Sequence, residues 1–74
     1  MYAIDALRTI AHDEDIAITR IGLELGKTRQ YISGIEQRKS NPRTDTFARM
    51  LRVCGYTLCA VRDEDVTDRM YVVD

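Results

Sequence analysis

The chain has 74 residues, 45% of them hydrophobic and 31% charged, with a formal net charge of −1. This is one small domain, near the lower limit at which a single core holds without staples, and its apolar content excludes a disordered tail. No apolar run approaches the roughly 20 residues that span a bilayer, and Met1 opens no charged-then-apolar signal pattern, so a cytoplasmic protein is expected.

In "YAIDALRTIAHDED" Ile4, Leu7 and Ile10, with Ala3 and Ala11, recur at helical spacing, and the acidic end of that stretch stops the pattern. "IAITRIGLELG" places Ile18, Ile21 and Leu25 on one stripe, with Thr19 or the acidic cluster as cap and Gly26 as a left-handed stop. Thr28 then suits the N-cap of a third helix running from Arg29 to about Arg38. That helix buries Ile32 and Ile35 and turns Arg29, Gln30, Ser33, Gly34 and Gln37 outward. "RKSNP" is a loop ended by its Asn-Pro pair. "TDTFARMLRVCG" predicts a fourth helix, capped by Thr44 and ended by Gly55, with Phe47, Met50, Leu51 and Cys54 on its buried face. Beyond Gly55, "YTLCAVR" and "RMYVV" are rich in β-branched and aromatic residues around a polar "DEDVTD", which predicts a hairpin or a pair of strands packed on the helices. The expected fold is therefore mainly α, a four-helix unit over 1–55 followed by a C-terminal β segment over 56–74.

Charge is unevenly divided along this order. From Met1 to Gly26 two cations face five anions, from Lys27 to Arg52 seven face two, and from Val53 to Asp74 two face five. A basic middle third between acidic ends points to an anionic partner. Cys54 and Cys59 stand in apolar surroundings with no histidine at metal-ligand spacing, and are expected to be reduced and to serve as small hydrophobes. His12 reads as a helix-end residue.

Two helices joined by a tight glycine turn, the second polar outside, make a helix-turn-helix pattern. Ile21, Gly22, Leu25, Gly26, Ile32 and Ile35, the Ile-Ser, Glu and Pro elements at Ile32, Ser33, Glu36 and Pro42, and the continuation through Phe47, Met50, Cys54 and Gly55 resemble the lambda-repressor-like (Cro/C1-type, XRE) helix-turn-helix family. The resemblance covers roughly residues 4 to 56. It implies double-stranded DNA as partner and a third helix whose start enters the major groove. Thr28, Arg29, Gln30, Ser33 and Gly34 are then the base-reading residues: Arg29 suits guanine, Gln30 suits adenine, and Gly34 permits close approach. Thr19, Lys27, Tyr31, Gln37, Arg38, Lys39, Ser40, Asn41 and Arg43 are the phosphate-anchoring set. Tyr31 suits equally well packing on the next helix. Arg49 and Arg52 read as surface residues of the fourth helix.

The sequence departs from the family in several places. Ile18 stands where relatives commonly carry a phosphate-holding glutamine, Lys27 where an apolar residue is usual, and Lys39 where glycine is usual. Many relatives pair the signature glutamate with an arginine of helix one, but the position facing Glu36 is Ala11, so Arg8, His12 or another nearby cation is expected to meet the carboxylate. The strand-like end resembles Cro-type proteins and the antitoxins of kinase-type toxin–antitoxin pairs, and implies a homodimer through residues 56–74. The expected function is a dimeric transcriptional repressor. The alternatives are an antitoxin that regulates its own operon with a toxin partner, or a protein-interaction module with weakened DNA binding. No nucleophile–base pair, phosphate loop or metal-ligand cluster stands out, so neither enzymatic activity nor a cofactor or metal is expected, and a chain this short suggests no effector pocket.

Overall fold

A computed structural model describes residues 2–73; Met1 and Asp74, the outer ends of the two expected segments, lie outside the described residues. Four helices follow in order: α1 (Ala3–Asp13), α2 (Ile18–Glu24), α3 (Tyr31–Gln37) and α4 (Thr44–Val53). Helix α2 packs on α3 and α4, and α1 packs on α4. The apolar stripes meet in one core in which Leu7, Ile21, Ile32 and Met50 are fully buried, surrounded by Ile4, Ile10, Leu25, Ile35, Phe47 and Leu51. Each of those side chains contributes roughly 1.5–3 kcal/mol by leaving water, which is how a domain this small offsets its chain entropy.

All four helices end in the same way. After α1, Asp15 N–H donates to His12 O (3.1 Å) and Ile16 N–H to Ala11 O (2.8 Å); after α2, Gly26 donates to Leu23 and Lys27 to Gly22 (both 3.0 Å). Lys39 to Glu36 and Ser40 to Ile35 repeat the pair after α3, and Gly55 to Arg52 and Tyr56 to Leu51 repeat it after α4. Each pair needs a left-handed residue at its centre, and the four have φ of 57° (Asp15), 77° (Gly26), 54° (Lys39) and 82° (Gly55). The two glycines are the expected stops. Asp15 and Lys39 hold the same conformation against a side-chain clash worth roughly 1–2 kcal/mol, less for an aspartate. Lys39→Gly is therefore expected to raise unfolding stability by about 1 kcal/mol, and Asp15→Gly by less, as read from urea midpoints at unchanged slope.

The starts of the helices differ from the sequence reading. Among the described residues no α-helix has a side-chain N-cap: the cap residues are Tyr2, Ala17, Gln30 and Arg43. Helix α3 begins at Tyr31, two residues later than expected, because Arg29 and Gln30 form a tight turn in which Thr28 C=O accepts from Tyr31 N–H at 3.3 Å. Thr44 is the first residue of α4 and not its cap.

The largest correction concerns the C-terminus. Among the described residues there is no strand and no sheet, so the expected β-hairpin is absent. Residues 56–73 run as an extended strap broken by a 3-10 turn at Asp63–Asp65, where the polar "DEDVTD" does bend the chain. The alternation that suggested strands survives as side-chain alternation. Tyr56 and Leu58 on one arm, and Tyr71 and Val73 on the other, pack against the helical core, while Thr57, Cys59 and Val72 face outward. Burial of every second side chain is thus obtained against helices, and the solvated backbone of these short arms does not need a ladder. The strap is clasped to the end of α1: Tyr71 Oη donates to Asp13 Oδ2, Tyr56 Oη donates to Glu14 Oε2 at 3.3 Å, and the two rings meet edge to face at 5.9 Å.

The bond to Asp13, followed by burial, pushes the Tyr71 hydroxyl up to about 12. An acid whose neutral form is favoured in the folded state lends stability that is complete below its unfolded value near 10 and is lost between about pH 10 and 12. Burial, followed by the charge of Glu14, pushes the Tyr56 hydroxyl up as well, so tyrosinate absorbance should show two late-ionising tyrosines, and Tyr71→Phe should remove the step near pH 12 and speed proteolysis within the strap.

Between strap and helices lies a cavity of about 540 Å³ whose lining includes Ile10, Phe47, Leu51, Tyr56, Val66 and Met70, a space not expected in so short a chain. Of the two cysteines Cys54 is buried, and burial pushes its thiol up; Cys59 is exposed, so only one of them acts as a core hydrophobe. No described helix is long and apolar enough to cross a membrane.

Candidate nucleic-acid interface

The angle between α2 and α3 is set by a contact with no side chain in it. Gly22 is buried in α2, and a β-carbon placed there would stand 2.8 Å from the carbonyl oxygen of Thr28 and 3.5 Å from Cβ of Tyr31. The turn therefore rests directly on helix backbone. Gly26, at φ 77°, reverses the chain in the few residues available. Ile21, Leu25, Ile32 and Ile35 close the joint from below, all of them buried.

The residues expected to read bases fall in the turn before α3 and on α3 itself. Lys27, Thr28, Arg29 and Gln30 are exposed in the turn before α3. Ser33 and Gly34 are half-buried on α3, Gln37 is exposed, and Arg38, Lys39, Ser40, Asn41 and Arg43 are exposed in the segment that follows. Thr19 is exposed in the first turn of α2. Tyr31 does pack inward: it is half-buried against the core, and Lys27 Nζ lies over its ring at 5.6 Å from the centroid. That cation–π contact gives Lys27 a defined seat, although an apolar residue is usual there.

The orientation of α3 is held from the other side by α1. Arg8 Nε donates to Glu36 Oε2 at 2.8 Å and Arg8 Nη2 to Glu36 Oε1 at 2.7 Å, a two-pronged pair across 28 residues. Of the cations expected to meet this carboxylate, Arg8 does; His12 is exposed and lies 3.8 Å from Asp13. Arg8 stands three residues, about one helical turn, before Ala11, so a long side chain on the same face reaches the same partner. The hydrogen bonds from Arg8 hold the Glu36 carboxyl below the usual carboxylate range. What this pair contributes is therefore present above the unfolded carboxylate pKa and is lost as pH falls through the lowered value.

Ion pairing is more common outside the basic segment than in it, although Arg69 in the strap forms none among the described residues. Arg8, Arg20 and Arg62 each lie within 4 Å of a carboxylate. In the basic third only Arg43 does, 3.5 Å from Asp45, in a pair 85% and 70% exposed that solvent screens. Lys27, Arg29, Arg38, Lys39, Arg49 and Arg52 form no ion pair among the described residues. Unneutralised cations concentrated on one segment create a positive field that attracts a polyanion. The sequence reading left Arg49 and Arg52 as mere surface residues of α4; their exposure agrees with that, and their lack of partners adds them to the free charge.

The family model described as helix-turn-helix matches residues 15–61, more than half of the chain. It begins just before α2, takes in the turn, α3 and α4, and ends in the strap. The chain is a helix-turn-helix protein of the Cro/C1 type. Proteins of this helix-turn-helix family bind double-stranded DNA and regulate transcription. No curated protein and no solved structure matches the chain. Within the matched segment of this helix-turn-helix protein stand a packed first helix, a glycine turn over a bare backbone contact, and a second helix whose polar residues Ser33 and Glu36 are half-buried and whose Gln37 is exposed.

Proposed function

We propose that this helix-turn-helix protein is a sequence-specific repressor that binds its operator as a homodimer. The observation that carries the reading is that the turn and second helix of the motif fall in the segment where every cation but Arg43 lacks a carboxylate partner among the described residues. Thr28, Arg29, Gln30, Ser33 and Gly34 face the base edges of the major groove. Arg29 is matched to guanine O6 and N7, and Gln30 to adenine N6 and N7. Placing Arg29 and Gln30 in a turn ahead of α3 suits this, since the leading end of the second helix goes deepest into the groove. Thr19, Lys27, Tyr31, Gln37, Arg38, Lys39, Ser40, Asn41 and Arg43 hold phosphates on either side and set the register. Repression follows from occupancy: a bound dimer excludes polymerase from the same DNA.

The strap supports the dimer. Val61, Val66, Met70 and Val72 are 37–51% exposed and lie within a dozen residues of one another. Exposed apolar side chains so close together in the sequence favour a protein neighbour, and a second copy is the simplest one. The same surface would suit a toxin if the chain is an antitoxin that represses its own operon.

Selection from a randomised duplex library, at several salt concentrations, tests the reading. The expected product is an inverted repeat with half-sites about 10 bp apart, and Arg29→Ala and Gln30→Ala should each lose about 1–3 kcal/mol of discrimination at one base per half-site. A library that yields no motif would leave the interaction-module alternative as the better account.

A further inference from the structure

Gly34 lies on α3 four positions after the N-cap Gln30 and four before the C-cap Arg38, the spacing at which neighbours along a helix meet, and off the buried positions Ile32 and Ile35. A β-carbon on Gly34 would stand 3.2 Å from Arg38 Nη1 and 4.0 Å from Arg38 Cζ, with nothing else outside the helix backbone within 4 Å. The guanidinium of Arg38 therefore lies over the bare backbone of Gly34. Helical side chains lean toward the N-terminus and cover the turn before their own Cα, so this seat carries the charged fork of Arg38 toward the Gln30 end of the helix. Arg38 is exposed and forms no ion pair among the described residues, which leaves its donors free for a ligand.

We infer that Arg38 reads a base, from a seat that exists because residue 34 has no side chain. This assignment rests on the DNA-reading proposed above and changes one part of it: Arg38 moves from the phosphate-anchoring set to the base-reading set, and Gly34 becomes the residue that determines its reach. A guanidinium presented along the edge of a groove-bound helix matches the two acceptors of guanine, a pairing the point charge of lysine does not reproduce. A phosphate anchor would carry no base preference, so its replacement by lysine would change binding to all sequences alike.

The test repeats the library selection with the full-length protein and three variants, Arg38→Ala, Arg38→Lys and Gly34→Leu, each first shown by thermal melting to be folded. The wild-type motif should contain one position per half-site at which Arg38→Ala loses about a tenfold to a hundredfold preference, with the other positions unchanged. Arg38→Lys should lose the same preference while keeping the salt dependence of binding. Gly34→Leu should lose it too, because the new side chain fills the seat, although leucine improves the helix. Restoration of the wild-type motif by lysine, or a uniform loss on every sequence with alanine, would return Arg38 to the phosphate backbone and overturn the assignment. An unchanged motif with Gly34→Leu would overturn the seat. A library from which the wild-type protein itself draws no motif sinks the DNA-reading first and this assignment with it.

Discussion

Gly22→Ala is expected to lower the unfolding stability of this protein by about 2 kcal/mol, although alanine is the better helix former. The intrinsic preference favours the variant by roughly 1 kcal/mol. Against it stands the carbonyl oxygen of Thr28, 2.8 Å from where the new methyl would sit. That oxygen is backbone, fixed by accepting from Tyr31 N–H, and Tyr31 Cβ is 3.5 Å away on the other side. Relief therefore requires α3 to move off α2, and overpacking of this kind typically costs 1–3 kcal/mol and occasionally more. For a chain of this size each kcal/mol shifts Tm by about 4–8 °C, so a fall of about 10 °C is the expected reading. Gly34→Ala provides the opposite sign in the same motif. Its new methyl meets only the far end of the flexible Arg38 side chain, at 3.2 Å, so the propensity gain survives and Tm should rise. If both alanine variants were stabilising, the bare backbone contact would not be what sets the angle between the helices.

Affinity for DNA should collapse between 50 and 200 mM salt, by a factor on the order of a thousand if the two copies of the basic segment together neutralise about six phosphates. The expectation follows from charge distribution and not from net charge, which at −1 would suggest indifference to DNA. Each phosphate contact steepens the fall of log affinity with log salt by about 0.9, so Lys39→Ala should reduce the slope by about one contact and weaken all sequences alike. Asp15→Gly, whose site is at the far end of α1, should leave the slope as it was. Lys39→Gly couples the two kinds of effect in one residue: the fold gains what the left-handed φ of 54° had cost, while DNA binding loses a cation. A flat salt response in the wild-type protein would remove the electrostatic basis of the proposed function.

The site and the fold differed in how far they could be read ahead of the structure. The helix-turn-helix unit was legible because its signals are local. Apolar residues at three-and-four spacing mark a buried face wherever the chain lies, and Gly26 and Gly55 mark stops through an intrinsic freedom of the backbone. The exposed candidates between Lys27 and Arg43 followed as the remainder, and all of them except half-buried Tyr31, Ser33 and Gly34 are solvent-exposed. Thr28 was misread as a cap because a threonine before a helical stretch is a common pattern, and nothing local shows that the next two residues will turn instead of coil. Asp15 gave no warning of its left-handed geometry, and Lys39 gave one only through the resemblance, in which glycine is usual at its position. Their conformation is imposed by the backbone bonds of Ile16 and Ser40 to the preceding helices.

By itself, then, the sequence determined the four helices, the core that joins them and the family of the chain, because hydrophobic periodicity and glycine act over a few residues. Only the tertiary structure decided where side chains far apart in the chain would meet. It chose Arg8, 28 residues away, as the partner of Glu36, and it laid the backbone of Thr28 on Gly22. It also decided the strap. Alternating apolar residues and β-branched texture establish an extended chain, but whether two extended arms pair with each other or lie on helices depends on which apolar surface is left uncovered. Here α1 and α4 leave one, and Asp13 and Glu14 at the end of α1 accept the hydroxyls of Tyr71 and Tyr56, so the arms are drawn onto helices instead of into a sheet.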